Sequence, residues 1–286
     1  MSGADRRLSR ISRRSLIGSG AVASALAVAG LPSGAAERRS GTLRIAAPAD
    51  LFERLVAPGS VFDTLTEIDG DGALRGVLAE GWETQDAGRD WTVRLRKDAV
   101  FHDGRAVSAD DVVASLSPHG REGGVLEGLR RLRSGDGVVL VGLERPDPQF
   151  PLRLADSALV IRPETPLRDT VGTGLYAVTE AEPGRLKLTR VEQHVRGGRG
   201  GYFERVELLA MESAQDRLDA LDTGRVDLAF DLPSGAARAL LRHRRVVTGE
   251  VQVPDRAGAV HVGYSTRLRG LDGRDPLRIA ERGYFA

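Results

Sequence analysis

The sequence predicts a mixed α/β fold. Two observations carry this expectation. Stretches of strand length, apolar or alternating, recur along the chain, and between them lie helical segments, two of them opened by serine caps. Strands and helices are therefore interleaved at short intervals. A length of 286 residues allows one large domain or two of ordinary size, with enough chain to bury a real core.

Taken in order, Leu43-Arg44-Ile45-Ala46 reads as an opening strand, and Trp91 to Leu95 alternates as a half-buried strand should. Ser108 is a natural N-cap for a helix through about Leu116, with Asp110 and Asp111 complementing its dipole. Gly137 to Leu143 is a compact apolar run. Leu175–Val178 and Leu186–Val191 read as strands joined at Pro183-Gly184. Beyond the glycines at 197–201, Arg205–Leu209 is a strand. Glu212–Leu221 is a helix with apolar positions at Ala214, Leu218 and Leu221, closed near Gly224. Val226–Phe230 is the next strand, Ser234 caps a helix to about His243, and Val246–Val253 and Ala259–Tyr264 complete the set. The arginine-rich stretches 130–133 and 238–245 read as solvated helix faces rather than nucleic-acid patches. Trp82 and Trp91, set among apolar neighbours, read as core.

Composition excludes several functions. There is no cysteine, hence no disulfide, thiolate metal site, cysteine nucleophile or lipid-modified cysteine anchor. A net charge of +1 argues against a general nucleic-acid or membrane-surface binder. The basic excess sits at the start, where Arg6, Arg7, Arg10, Arg13 and Arg14 face only Asp5 within residues 1–36. That segment reads as a signal peptide: a basic stretch to Arg14, an uncharged run from Leu16 to Leu31, and small residues near Ala35 and Ala36. The apolar run falls short of the roughly 20 residues that span a bilayer. Ser12-Arg13-Arg14-Ser15-Leu16-Ile17 resembles the twin-arginine export motif, with Leu16 in place of the usual Phe. The expectation is a soluble periplasmic protein without a lipid tether, exported by the twin-arginine translocase.

Catalytic motifs are weak. The five histidines stand far apart in sequence, no Gly-x-Ser-x-Gly elbow occurs, and no Walker lysine follows a glycine-rich loop. Gly172-Thr173-Gly174-Leu175-Tyr176-Ala177 matches the dinucleotide fingerprint in spacing, but a strand follows it where a helix is required. No cofactor, no metal and no enzymatic activity are expected. His102 beside Asp103 reads as part of a turn, Phe101-His102-Asp103-Gly104, in which Gly104 takes positive φ and Asp103 bonds local backbone. Gly172 and Gly174 permit a close backbone approach, to a ligand or to a hinge strand.

One series of segments is more specific. Phe62-Asp63-Thr64-Leu65 is followed by Leu78-Ala79-Glu80-Gly81-Trp82-Glu83, Trp91 to Lys97, Val100-Phe101-His102-Asp103-Gly104-Arg105 and Val107 to Val112. Farther on come Gly172-Thr173-Gly174-Leu175-Tyr176, with Leu175 where the pattern has proline, and Ala220 to Leu228. In this order they resemble the family 5 extracellular solute-binding proteins, the dipeptide, oligopeptide and nickel receptors of ABC importers, from about Leu43 to Ser265. The resemblance implies a type II periplasmic-binding-protein fold with lobe I largely present and the second lobe apparently missing. It divides the chain into signal peptide (1–36), solute-binding lobe (37–268) and a remnant of the crossing to the second lobe (269–286). It implies binding of a peptide or related small solute, with importer permease subunits as partners and no bond chemistry. The ligand-binding residues expected are Ala47, Pro48, Ala49 and Asp50 after the first strand, Gly172, Thr173 and Gly174, and Ser265 at the lobe crossing. Two other readings compete. One is a truncated interaction module that needs a partner chain, which an exposed apolar surface would favour. The other is an exported metal-dependent enzyme.

Overall fold

A computed structural model describes residues 41–51, 60–68, 72–164, 170–195, 203–233, 247–254 and 260–265. The signal segment, the helix expected from Ser234 and the arginine stretch 238–245 lie outside these residues.

Strand β1 (Thr42–Ala47) is the centre of the architecture. It lies between β10 (Arg205–Ala210) and β11 (Leu228–Phe230), parallel to both. Outside them run β9 (Arg185–Arg190), β8 (Tyr176–Glu182), β13 (Val260–Ser265) and β12 (Val247–Pro254), joined by antiparallel ladders into a seven-stranded sheet of order β12-β13-β11-β1-β10-β9-β8. Over its carboxyl half, Ile45 to Ala47, both faces of β1 are buried, as parallel central strands require. Leu43, Ile45 and Ala47 join a core with Val206, Leu208, Leu228, Phe230 and Tyr176. Ala46 joins a second core with Ala229 and with Ala220 and Leu221 of helix α3 (Ala214–Asp222).

Between β1 and β8 the chain builds a second body. A four-stranded antiparallel sheet of order β4-β5-β7-β6 comprises β4 (Ala79–Thr84), β5 (Asp90–Leu95), β6 (Leu129–Ser134) and β7 (Val138–Leu143). A small hairpin, β2 (Thr66–Ile68) with β3 (Leu74–Gly76), precedes it. Trp91, Val93, Val139 and Val141 pack against Val112 and Leu116 of α1 (Ala109–Leu116) and Phe150 of the short α2 (Phe150–Arg153). Trp91 is buried and its Nε1 donates to the Gly88 carbonyl at 3.0 Å, while Trp82 is half-buried against the same core.

The two sequence-marked helices form with one shift. Ser108 caps α1 through a capping box: its hydroxyl accepts from Asp111 N at 3.2 Å while the Asp111 carboxylate accepts from Ser108 N at 2.8 Å. Helix α3 starts at Ala214 rather than Glu212, because Ser213 is its cap and accepts from Asp216 N.

Residues 130–133 correct the expected helix face. They lie in β6, an edge strand. The spacing of Leu129 and Leu132 mimics a helical stripe, but the β6–β7 register shifts between Leu129 and Arg131. This irregularity rephases the alternation so that both leucines pack toward the core while Arg130, Arg131 and Arg133 stay exposed.

Candidate functional site

In an open α/β sheet the loops beyond the carboxyl ends of parallel strands are the natural place for a ligand. Here β1, β10 and β11 end together, so their exits form one edge: Pro48 to Leu51, Met211 to Ser213 and Asp231 to Leu232. The three exits are tied to one another. Met211 N donates to the Ala47 carbonyl at 2.9 Å, and Ala49 N donates to Glu212 Oε1 at 3.0 Å. Leu51 N closes a turn on the Pro48 carbonyl at 3.1 Å. Ala47 is buried, Pro48 half-buried, and Ala49 and Asp50 are exposed at this edge.

Beneath the edge lies a buried cation. Arg217 of α3 is 4% exposed. Its guanidinium donates to four backbone carbonyls: Met211 (2.5 Å) and Glu212 (2.9 Å) from Nη1, Phe230 (2.7 Å) from Nε and Asp231 (2.8 Å) from Nη2. Such bonds to a charged donor offset the desolvation of the cation. Asp231 sits in the left-handed region at φ +51, a conformation that Asp tolerates better than most residues. Ala214, Arg217, Leu218 and Leu221 share one helical stripe, so a charge on the apolar face of α3 is the sequence signal that could have pointed to Arg217.

The opposite edge holds the other predicted residues. Gly172, Thr173 and Gly174 precede β8, whose Tyr176 lies at the end of the sheet where β1 begins. All three are buried. Their close approach is to the chain itself: a Cβ on Gly172 would stand 1.9 Å from the Val61 carbonyl oxygen, and one on Gly174 2.2 Å from that of Ser60. Gly174 N donates to Val61 O at 2.9 Å, Tyr176 N to Ser60 O at 2.8 Å, and Asp63 N to Thr173 Oγ1 at 3.2 Å. These residues therefore zip together the two segments that run between the bodies. Ser265 pairs with Leu228 at the start of β11, two positions from the Phe230 end of that strand. The fold thus gathers Ala47–Asp50 with Met211–Ser213 and Asp231, and holds Gly172–Gly174 at the far edge.

His102 lies in the predicted turn, where Gly104 has φ +86 and Asp103 Oδ1 accepts from Arg105 N at 3.1 Å. Its ring clasps the glycine segment. Nδ1 accepts from Gly172 N at 3.3 Å, so Nε2 carries the proton and donates to the Gly174 carbonyl at 2.9 Å. Burial pushes this imidazole below its ordinary pKa, against the opposing pull of the Gly174 bond and of the Asp63 charge. Beside it His194 Nε2 donates to Asp63 Oδ2 at 2.9 Å, a fully buried carboxylate. Among the described residues no three His, Asp or Glu side chains converge as a metal would need.

The sequence model of bacterial extracellular solute-binding proteins, family 5 Middle, matches residues 73–270. The chain belongs to this family. Among similar proteins is the oligopeptide-binding protein AppA of Bacillus subtilis (strain 168), 26% identical over 196 residues that make up 61% of this chain and 36% of that one. The fold also matches that of solved structures. The periplasmic binding protein DppA of Helicobacter pylori, in complex with the peptide STSA, superposes with a TM-score of 0.61 at 21% identity, over 73% of this chain and 50% of that one. A nickel ABC transporter structure from Bacillus halodurans gives 0.58 at 21% identity, over 74% and 48%. The chain spans about a third of the curated relatives it matches and about half of the solved chains. The type II binding-protein fold expected from the sequence is thus present.

Two family segments have clear local roles. Asp227, at the end of the Ala220–Leu228 element, is 3% exposed and fastens β11 to β1, accepting from Arg44 N at 2.9 Å and pairing with its guanidinium at 3.3 Å. The Gly172–Tyr176 segment joins the two bodies as described.

Proposed function

We propose that this protein is the substrate-binding component of an ABC importer and takes a peptide or a related small solute without transforming it. Family membership is the observation that carries the reading. The solute meets the edge formed by Ala47, Pro48, Ala49 and Asp50, where exposed backbone and one carboxylate lie over a rigid base. Gly172, Thr173 and Gly174 lie at the far edge, where they join the segments between the two bodies, and Ser265 pairs beside β11. Residues 1–36 direct export through the twin-arginine translocase, with Arg13 and Arg14 as the signal pair, and the protein works in the periplasm with permease subunits.

A ligand that binds only the folded state raises the melting temperature by mass action. The purified protein is therefore screened by thermal shift against di- and oligopeptides, nickel–histidine complexes and sugars. A shift confined to one class supports solute capture and identifies the class; a cooperative melt that no class moves refutes capture by this chain. Among the residues whose burial is described, the exposed large hydrophobic side chains are Val100 and Leu140, both in the four-stranded body.

A further inference from the structure

We infer that Arg217 is the positioning residue of the solute edge: it touches no solute, and sets the edge through the four carbonyls it holds. This rests on the reading that the edge binds solute.

The chain leaves β10 at Ala210, keeping one bond to β1 through Met211 N and the Ala47 carbonyl, and leaves β11 at Phe230. What ties the two exits to each other is the guanidinium, which bonds two successive carbonyls on each, Met211 and Glu212 on one and Phe230 and Asp231 on the other. A planar fork with five N–H donors suits this task; an ammonium, with three donors at one point, does not span it. The grip also dictates what the exits present. A trans peptide sets its N–H opposite its carbonyl. With the Met211 and Glu212 carbonyls drawn in, the Glu212 and Ser213 N–H groups face away from the guanidinium, and neither meets an acceptor among the described residues. Glu212 in turn carries the carboxylate that holds Ala49 N, so the register of the β1 exit depends on the same grip. One buried side chain thereby orders all three strand exits. The carbonyl that Arg217 holds at Asp231 belongs to a left-handed residue, a conformation that relaxes when the hold is lost.

The test uses Arg217→Lys and Arg217→Met in the full chain, with Arg217→Ala for chemical rescue. Amide hydrogen exchange is followed by mass spectrometry without ligand, and trialanine and nickel–histidine binding by calorimetry. For Arg217→Lys, exchange in peptides covering 209–216 and 228–233 rises at least about tenfold, while peptides from the four-stranded sheet keep wild-type rates. Arg217→Met, which keeps the volume of the side chain, shows the same local loss, and in Arg217→Ala millimolar methylguanidinium restores slow exchange at both exits. Uniform acceleration over the whole chain, unchanged exchange at the exits, or rescue by methionine overturns the inference. If wild type binds either probe, a loss of at least about tenfold in both substitutions at unchanged protection of the four-stranded sheet supports it further. Wild type that binds neither probe removes support for solute capture, and the exchange data then decide the positioning role by themselves.

Discussion

Replacing Gly172 with alanine probes the joint between the two bodies. Gly172 does not have a positive φ, so alanine meets no backbone strain of its own there. The added methyl instead stands 1.9 Å from the Val61 carbonyl oxygen and 2.8 Å from Phe62 Cδ1. A backbone oxygen on a buried segment has no rotamer with which to retreat. Overpacking of this kind costs about 1–3 kcal/mol. Moving residues 60–62 away also strains the Gly174 N–Val61 O and Tyr176 N–Ser60 O bonds, each worth about 1 kcal/mol. The expected loss is about 3–5 kcal/mol, which lowers the melting temperature by roughly 10 °C in a chain of this size. Urea unfolding followed by circular dichroism measures it. Gly104→Ala is the control, since Gly104 has φ +86 with nothing within 4 Å of its would-be Cβ, and only the backbone term of about 1 kcal/mol applies. A Gly172→Ala loss no larger than that of Gly104→Ala would refute the packing argument.

Three further outcomes are expected. His102 is neutral in the fold, with a pKa lowered chiefly by burial, so the unfolded chain takes up its proton first; its contribution is complete above about pH 6.5 and is lost as pH falls toward the folded-state value. Urea midpoints should fall on acidification between about pH 7 and 5 more steeply in wild type than in His102→Gln, and equal slopes would exclude His102 as the group responsible. Asp111→Ala removes the capping box and the acceptor for Glu164 N at 2.8 Å, and should cost about 2–4 kcal/mol, with Asp111→Asn less damaging, as read by denaturant unfolding. Lysine at both Arg13 and Arg14 should retain the protein in the cytoplasm; cell fractionation that still finds it in the periplasm would rule out the twin-arginine route.

Local signals made much of the fold legible. Ser108 with Asp111 three residues later marked α1, and the alternation of Trp91–Leu95 marked β5, because capping and pleating act between near neighbours. The β6 strand reads as a helix face because an irregular ladder gives its two leucines a helical spacing, and such an irregularity depends on the partner strand. Glycines 172 and 174 announced a close approach but not its object: Val61 is more than a hundred residues earlier, and nothing local encodes that meeting. Arg217 leaves little local mark for a related reason. Its four acceptors are main-chain carbonyls, which every residue possesses, so no side-chain motif records them.

The position of β1 has a consequence for how the molecule is made. Its pairing residues come late: Arg44 meets Asp227 across 183 positions of chain. A ribosome adds about 5–20 residues per second, so β1 waits roughly 10–40 s for its neighbours. In that interval the four-stranded body, its strands complete by Leu143 and its core by Ile161, is free to form, and its hairpin ladders favour quick closure. The seven-stranded sheet is therefore the late event, closed around a strand that has stood exposed since the beginning of synthesis, and a nascent chain stalled before residue 205 carries that apolar strand unprotected.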